Sequence, residues 1–321
     1  MVTFTCTHKN RAKHGKDRNG NQRWKCRDCG ATFASNEVRP LGDMRTDPEQ
    51  AALALKLLLE GMSIRATSRI TGLKADTICD LIIVAGENCD LFLKEYVRGV
   101  HCAAIELDEI WDFIGCKRET AERLGYHDDR GDSWTWLAID ADSKMILSYA
   151  VGKRDEGTGL EFLGRLNNAV EGRCQVTSDG YAVYTHNVPL TLGSRVDFAQ
   201  LVKTYAATQD ETRYSPAKIT SAEKVVRFGR PDEERISTSF AERLNLSVRM
   251  HVRRFTRLTN AHSKSYRHHA AMVALFAAWY CFCRKHETIG TTPAMTCGLA
   301  TSRWSLQELL SNAVRGMAVA A

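Results

Sequence analysis

Residues Ala103-Ala-Ile-Glu-Leu-Asp108-Glu-Ile-Trp-Asp-Phe113 alternate apolar and acidic side chains, the two-residue period of a strand with one buried face. Upstream the period is helical, so the chain changes class near Val100. Two more strands are predicted at Ser133-Trp-Thr-Trp-Leu-Ala-Ile-Asp140 and Lys144-Met-Ile-Leu-Ser-Tyr-Ala-Val-Gly152, joined by a turn at Asp140 to Ser143. A helix from about Gly157 to Val170, a strand at Cys174 to Thr177 running into Ser178-Asp179-Gly180, and a short helix through Tyr184 follow. Three antiparallel strands and then alternating helix and strand predict an α/β core covered on both faces. Asp179 falls at a strand end, where α/β sheets place their sites. Strict alternation puts Glu106 on the face of Asp108 and turns Glu109 away.

Downstream, residues 199–236 are polar, with Pro216, Gly229 and Pro231, and read as an insertion or extended arm. Ser237-Thr-Ser-Phe-Ala-Glu242-Arg-Leu-Asn245 opens an amphipathic helix in which Phe240, Leu244, Val248, Val252 and Phe255 recur at helical steps. Glu242, Asn245 and Arg249 share another stripe, a carboxylate, an amide and a guanidinium in line. Ser239 and Glu242 also fit a capping box, a purely structural role for the acid. His268 to His286 is predicted as a second long helix with a broad apolar face, and a final short helix spans about Ser305 to Leu310.

At the amino end, Cys26-Arg-Asp-Cys29-Gly30 has the spacing of one zinc-ribbon knuckle. Position 9 is Lys where a second pair would be completed, leaving Cys6 with His8 or His14 to fill the set around a structural Zn²⁺. Arg11, Lys13, Lys16, Arg18, Arg23, Lys25 and Arg27 are candidate phosphate contacts. Residues 36–46 read as a linker. Asp47-Pro48-Glu49 starts a helix that Gly61 ends, Ser63 to Gly72 reads as a second, and Asp76 to Ala85 as a third. This is a helix-turn-helix pattern, with Lys74 and Thr77 toward a groove and Arg65 and Arg69 toward phosphates.

The chain has 321 residues, 44% hydrophobic, with eleven cysteines, too few for a disulfide scaffold at this length. No apolar run reaches the ~18 residues that span a bilayer, and Met1 to Thr5 lacks a secretion pattern, so the expectation is a cytoplasmic protein without a membrane partner. The net charge of +6 is concentrated at residues 9–27 and 249–257. Such patches, with Arg249, Arg253, Arg254 and Arg257 in the second, favour an anionic polymer as partner.

Three acids, Asp108, Asp179 and Glu242, are hard oxygen ligands of the kind that hold Mg²⁺ or Mn²⁺ and leave room for water and phosphate. The motifs Asp108-Glu-Ile-Trp-Asp-Phe, Thr177-Ser-Asp-Gly-Tyr, Ser237-Thr-Ser-Phe-Ala-Glu-Arg-Leu-Asn, Arg253-Arg-Phe-Thr-Arg-Leu-Thr-Asn and Thr292-Pro-Ala-Met resemble, in this order, the DDE transposases of the bacterial insertion-sequence-one type. The resemblance covers nearly the whole chain. It implies a ribonuclease H-like mixed sheet with flanking helices, with Asp108, Asp179 and Glu242 at the three acidic positions. It implies the following organisation: a zinc-ribbon-like segment at 1–35, a linker at 36–46, a helix-turn-helix at 47–99, a catalytic domain at 100–290 and a tail at 291–321. The implied activity is cleavage of double-stranded DNA at element ends and joining to target DNA, by a homo-oligomer in the bacterial cytoplasm, associated with the nucleoid when bound to DNA. Two other readings share the residues: a regulator that binds DNA without catalysis, and a nuclease or resolvase that cuts without joining. Glu106, Glu109, Asp112, Asp140 and Asp142 are rival acids.

Overall fold

In a computed structural model, residues 10–16, 22–34, 40–126, 130–205, 219–256 and 259–320 are described. Cys6, His8, Arg18 and Arg257, singled out above, lie outside them.

The amino-terminal strands β1 (Arg11–Lys16), β2 (Gln22–Cys26) and β3 (Thr32–Ala34) form a small antiparallel sheet. Between β2 and β3, the Gly30 amide donates to Cys26 O at 3.0 Å, and Gly30 has φ +75°. The turn therefore takes the left-handed conformation that its glycine allows.

Three helices follow: α1 (Pro48–Leu59), α2 (Ile64–Thr71) and α3 (Ala75–Tyr96). Asp47 caps α1 by accepting from the amides of Glu49 and Gln50, and Ser63 caps α2 by accepting from Ala66. The Gly72 turn joins α2 to α3. The third helix runs well past Ala85, because Cys89, Phe92 and Leu93 extend its buried side. That side packs on α8 (Tyr266–Phe282), with Phe92 against Phe282 and Trp304. A Cβ on Gly86 would lie 2.1 Å from Ala271 O, so only glycine allows the two backbones this close. The helix is thus a core element for most of its length, and a distinct helix-turn-helix unit does not stand apart.

The short strand β4 (Val100–His101) leads into β5 (Ala104–Ile114), followed by α4 (Arg118–Arg123), β6 (Gly131–Asp140), β7 (Ile146–Gly152) and α5 (Glu156–Ala169). Then come β8 (Val170–Glu171), β9 (Cys174–Asp179), α6 (Ala182–Leu192), β10 (Val196–Tyr205), β11 (Ile219–Phe228) and α7 (Ser239–His251). After α8, α9 (Pro293–Thr296) and α10 (Leu306–Ala320) complete the described chain.

The large sheet has the order β11-β10-β9-β5-β6-β7. β6 runs antiparallel to both of its neighbours, β5 and β7, while β9 and β10 run parallel to β5. Helices flank both faces. This mixed α/β sheet is broadly ribonuclease H-like, as the sequence resemblance implies. The stretch at 199–236, expected as an insertion or extended arm, supplies most of β10 and all of β11, with 206–218 outside the described residues. Its polar composition misleads because Gln200 is a buried strand residue whose Nε2 donates to Asp179 O at 2.8 Å and Tyr181 O at 3.1 Å. Satisfied in this way, a buried amide holds the turn from β9 into α6.

Candidate metal centre

The register of β5 against β9 creates the site. Pairing runs from Ala104↔Gln175 to Leu107↔Ser178 and stops there. Asp108 is the first residue of β5 beyond that pairing, and Asp179 is the last of β9. A mid-strand and a strand-end carboxylate therefore meet where the sheet parts.

Glu109 joins them. One ligand oxygen each from Asp108, Glu109 and Asp179 lies within 4.8 Å of the others. Oxygens on one Mg²⁺ at ~2.1 Å are at most about 4.2 Å apart, so small side-chain rotations close the set. Alternation correctly turns Glu109 to the opposite face, where its Oε1 accepts from the buried Tyr184 hydroxyl and its Oε2 from Arg154 at 3.0 and 3.1 Å. Named among the rival acids, it nevertheless comes within reach of Asp108 and Asp179. With β9 ended, the edge of β5 is open, and carboxylates from both faces reach the same gap.

The centre carries more negative charge than its neighbours offset. Burial pushes the Asp108 carboxyl up to about 7, and the charges of Glu109, Asp179 and Glu242 push the same way. Glu109 is likewise raised to about 7 by burial and then by Asp179. Arg154 bridges Glu109 and Asp179 through one guanidinium, at 3.0 and 3.4 Å, and stacks 4.0 Å from the Tyr181 ring centroid. Asp179 is oriented by the Tyr181 amide, which donates to Oδ1 at 3.0 Å. Three clustered carboxylates that share one arginine fit a divalent cation, which would relieve their repulsion.

The α7 helix approaches from the other side. Asn245 Nδ2 donates to Asp108 Oδ2 at 2.8 Å. Glu242, a turn earlier, is near enough for its charge to raise Asp108, yet its side chain is half exposed and paired with Lys203 and with the Thr238 hydroxyl at 2.9 Å. Arg249, a turn later, donates to Phe255 O at 3.2 Å and places its charge toward buried Asp112. The Glu242, Asn245 and Arg249 stripe therefore runs along β5. The capping box does not form: α7 begins at Ser239, and Glu242 bonds Thr238 rather than the Ser239 amide. Glu106 takes the capping role across the fold, its Oε2 accepting from the amides of Phe240 at 2.7 Å and Ala241 at 3.0 Å. Buried Glu106 is thereby a structural acceptor at a helix amino terminus. Phe240, expected on the buried face, is partly exposed beneath Lys144.

Of the other expected residues, Arg65, Arg253 and Arg254 line one cleft of about 890 Å³ together with His262, Lys264 and His268. No carboxylate lines it among the described residues. Arg69 and Lys74 are exposed outside it, and Thr77 is half-buried near the start of α3. Cys26 is buried and Cys29 exposed. Among the described residues, no cysteine and histidine cluster stands beside the acidic one. No described helix is long and apolar enough to cross a membrane.

No family model matches this chain, and no curated protein matches it. Among solved structures, the chain is similar to one in the cryo-EM structure of the piggyBac transposase synaptic complex with hairpin DNA, at a TM-score of 0.35 and 10% identity. The match covers 84% of this chain and 70% of that one.

Proposed function

We propose that this chain is a metal-dependent DNA transposase of the DDE type, in which Asp108 and Asp179 hold Mg²⁺ or Mn²⁺ and Glu242 completes the site from α7. The observation that supports it best is the meeting of Asp108 and Asp179 where β9 ends, with the Asn245 and Glu242 stripe of α7 alongside. Glu109 adds a ligand or fixes its neighbours through Arg154. Bound there, a divalent cation supplies Lewis-acid activation of phosphate and of water. The chain's own residues do the rest. Asn245 orients Asp108, the Tyr181 amide orients Asp179, and Lys203 sits beside Glu242, where it can contact phosphate.

In the same reading, the cleft of Arg65, Arg253, Arg254 and Lys264 contacts DNA phosphates, with Arg249 and Arg257 contributing to that basic stretch, while Arg69, Lys74 and Thr77 meet the element's ends. Cys26 and Cys29 are proposed as two thiolate ligands of a structural Zn²⁺ completed by Cys6 and His8, supported by the glycine turn between β2 and β3. The test is incubation of the protein and Mg²⁺ with labelled duplexes carrying the terminal repeats that flank its gene. Nicked and joined products support transposition. Nicking without joining favours a nuclease, and binding alone favours a regulator.

A further inference from the structure

Arg154 lies between β7 and α5, and two aromatic side chains pin the backbone there. The Trp136 indole donates to Lys153 O at 3.2 Å, and the Tyr181 hydroxyl donates to Arg154 O at 2.8 Å. The guanidinium is held too, 4.0 Å from the Tyr181 ring centroid and 4.7 Å from that of Trp134. Its Nε and Nη2 donate to Glu109 Oε2 at 3.1 and 3.0 Å, and Nη2 also donates to Asp179 Oδ2 at 3.4 Å. A permanent cation is therefore built into the edge of the acidic cluster.

Among the described residues, four carboxylates converge at the centre, Asp108, Glu109, Asp179 and Glu242, and two cationic side chains pair with them, Arg154 and Lys203. With all six ionised, the excess is two negative charges, which one divalent ion balances. Resting on the metal centre proposed above, we infer that Arg154 is its built-in second cation, so that the chain binds a single divalent ion, between Asp108 and Asp179. Two-ion centres for phosphoryl transfer set their ions ~3.5–4 Å apart, and a carboxylate can serve one cation with each oxygen. Asp179 is that carboxylate here. Its Oδ2 faces Arg154, while Oδ1, oriented by the Tyr181 amide, keeps a lone pair for the ion. Glu109 then anchors the arginine instead of ligating the ion, which accounts for its burial on the far face of β5. A second ion would have to displace a guanidinium held by three hydrogen bonds and two rings, and Mg²⁺ gives up its own water reluctantly.

Mn²⁺ titration of the full chain without DNA at pH 8, followed by electron paramagnetic resonance, counts the ions. The wild type is expected to bind one, with the spectrum of an isolated Mn²⁺. Arg154→Gln removes the charge but keeps a donor for Glu109, and is expected to bind two ions whose spins couple at ~4 Å. Arg154→Lys, which keeps a charge there, is expected to stay at one. Adding Glu109→Gln to Arg154→Gln removes the second ion's ligand and is expected to restore one. A measurement on the wild type guards against a variant that does not fold: the Arg154 Nε–H resonance, assigned by its absence from Arg154→Lys, is expected to persist when Mg²⁺ saturates the chain. A wild type that binds two coupled ions overturns the inference and leaves the metal centre standing, whereas one that binds none overturns both. A folded Arg154→Gln chain that still binds one ion overturns the inference, as does loss of the Nε–H resonance on adding Mg²⁺.

Discussion

Asn245 Nδ2 donates to Asp108 Oδ2 across 2.8 Å, joining α7 to β5 at the point where β9 ends. The amide oxygen of Asn245 is buried with no partner among the described residues, so the side chain is held by that one bond. Asn245→Asp would put a second negative charge on Asp108. The expected result is a folded protein whose Mg²⁺ requirement for cleavage rises and whose rate falls at least about tenfold. A titration of cleavage rate against Mg²⁺ checks it, and an unchanged curve contradicts a positioning role for Asn245.

Burial and mutual repulsion give the centre a pH signature. Asp108 and Glu109 are raised to about 7 in the folded chain, and Asp112 is raised to about 7 chiefly by burial. A carboxyl with a higher pKa folded than unfolded binds more protons in the folded chain between the two values, so stability falls as pH rises across that window. Without metal, the contribution of these three groups is therefore present near pH 4 and lost by about pH 7. Other groups titrate there too, so the diagnostic comparison is Asp108→Asn against wild type. The variant's melting temperature should fall less between pH 5 and pH 8, and added Mg²⁺ should stabilise the wild type more at pH 8 than at pH 5. A parallel pH dependence in both proteins contradicts the assignment.

Glu106 fixes the entry of α7. Glu106→Ala leaves the amides of Phe240 and Ala241 without their acceptor and is expected to cost about 1 to 3 kcal/mol. Glu106→Gln keeps an acceptor oxygen and should lose less than half of that, with cleavage largely retained. Urea denaturation of the two variants separates this role from a metal ligand's, for which Gln would be as damaging to activity as Ala.

Gly86 sets the distance between α3 and α8. A methyl group there meets Ala271 O at 2.1 Å, backbone against backbone, so Gly86→Ala is expected to destabilise the fold by roughly 1 to 3 kcal/mol despite the better helix propensity of alanine. A thermal unfolding midpoint equal to or above that of the wild type contradicts so close a crossing.

The strands around Asp108 were legible in the sequence because β5, β6 and β7 keep a clear alternation of side chains. The stripe of Glu242, Asn245 and Arg249 was legible because helical spacing alone defines it. Glu109 was legible only as a rival acid facing away, because alternation describes a strand within a sheet, whereas this cluster lies where a neighbouring strand stops, and that end is set by pairing between residues some seventy apart. β10 was missed because the period fails when a buried position is polar, as at Gln200, and the signal that could have revealed it is the apolar pair Phe198 and Ala199 before it. The capping role of Glu106 depends on a helix more than a hundred residues away, which no local pattern reports.

The charge of Asp179 tests the central claim most directly. Asp179→Asn keeps an oxygen for the Tyr181 amide and nearly the same shape, so it removes little besides the anionic ligand. The decisive measurement is the Mg²⁺-dependent rate of strand cleavage on a duplex carrying the element's end, with folding and end binding verified beside it. A metal centre built on Asp108 and Asp179 predicts a loss of at least about a hundredfold, with folding and binding intact. An Asp179→Asn protein that cuts the same duplex at close to the wild-type rate would contradict it.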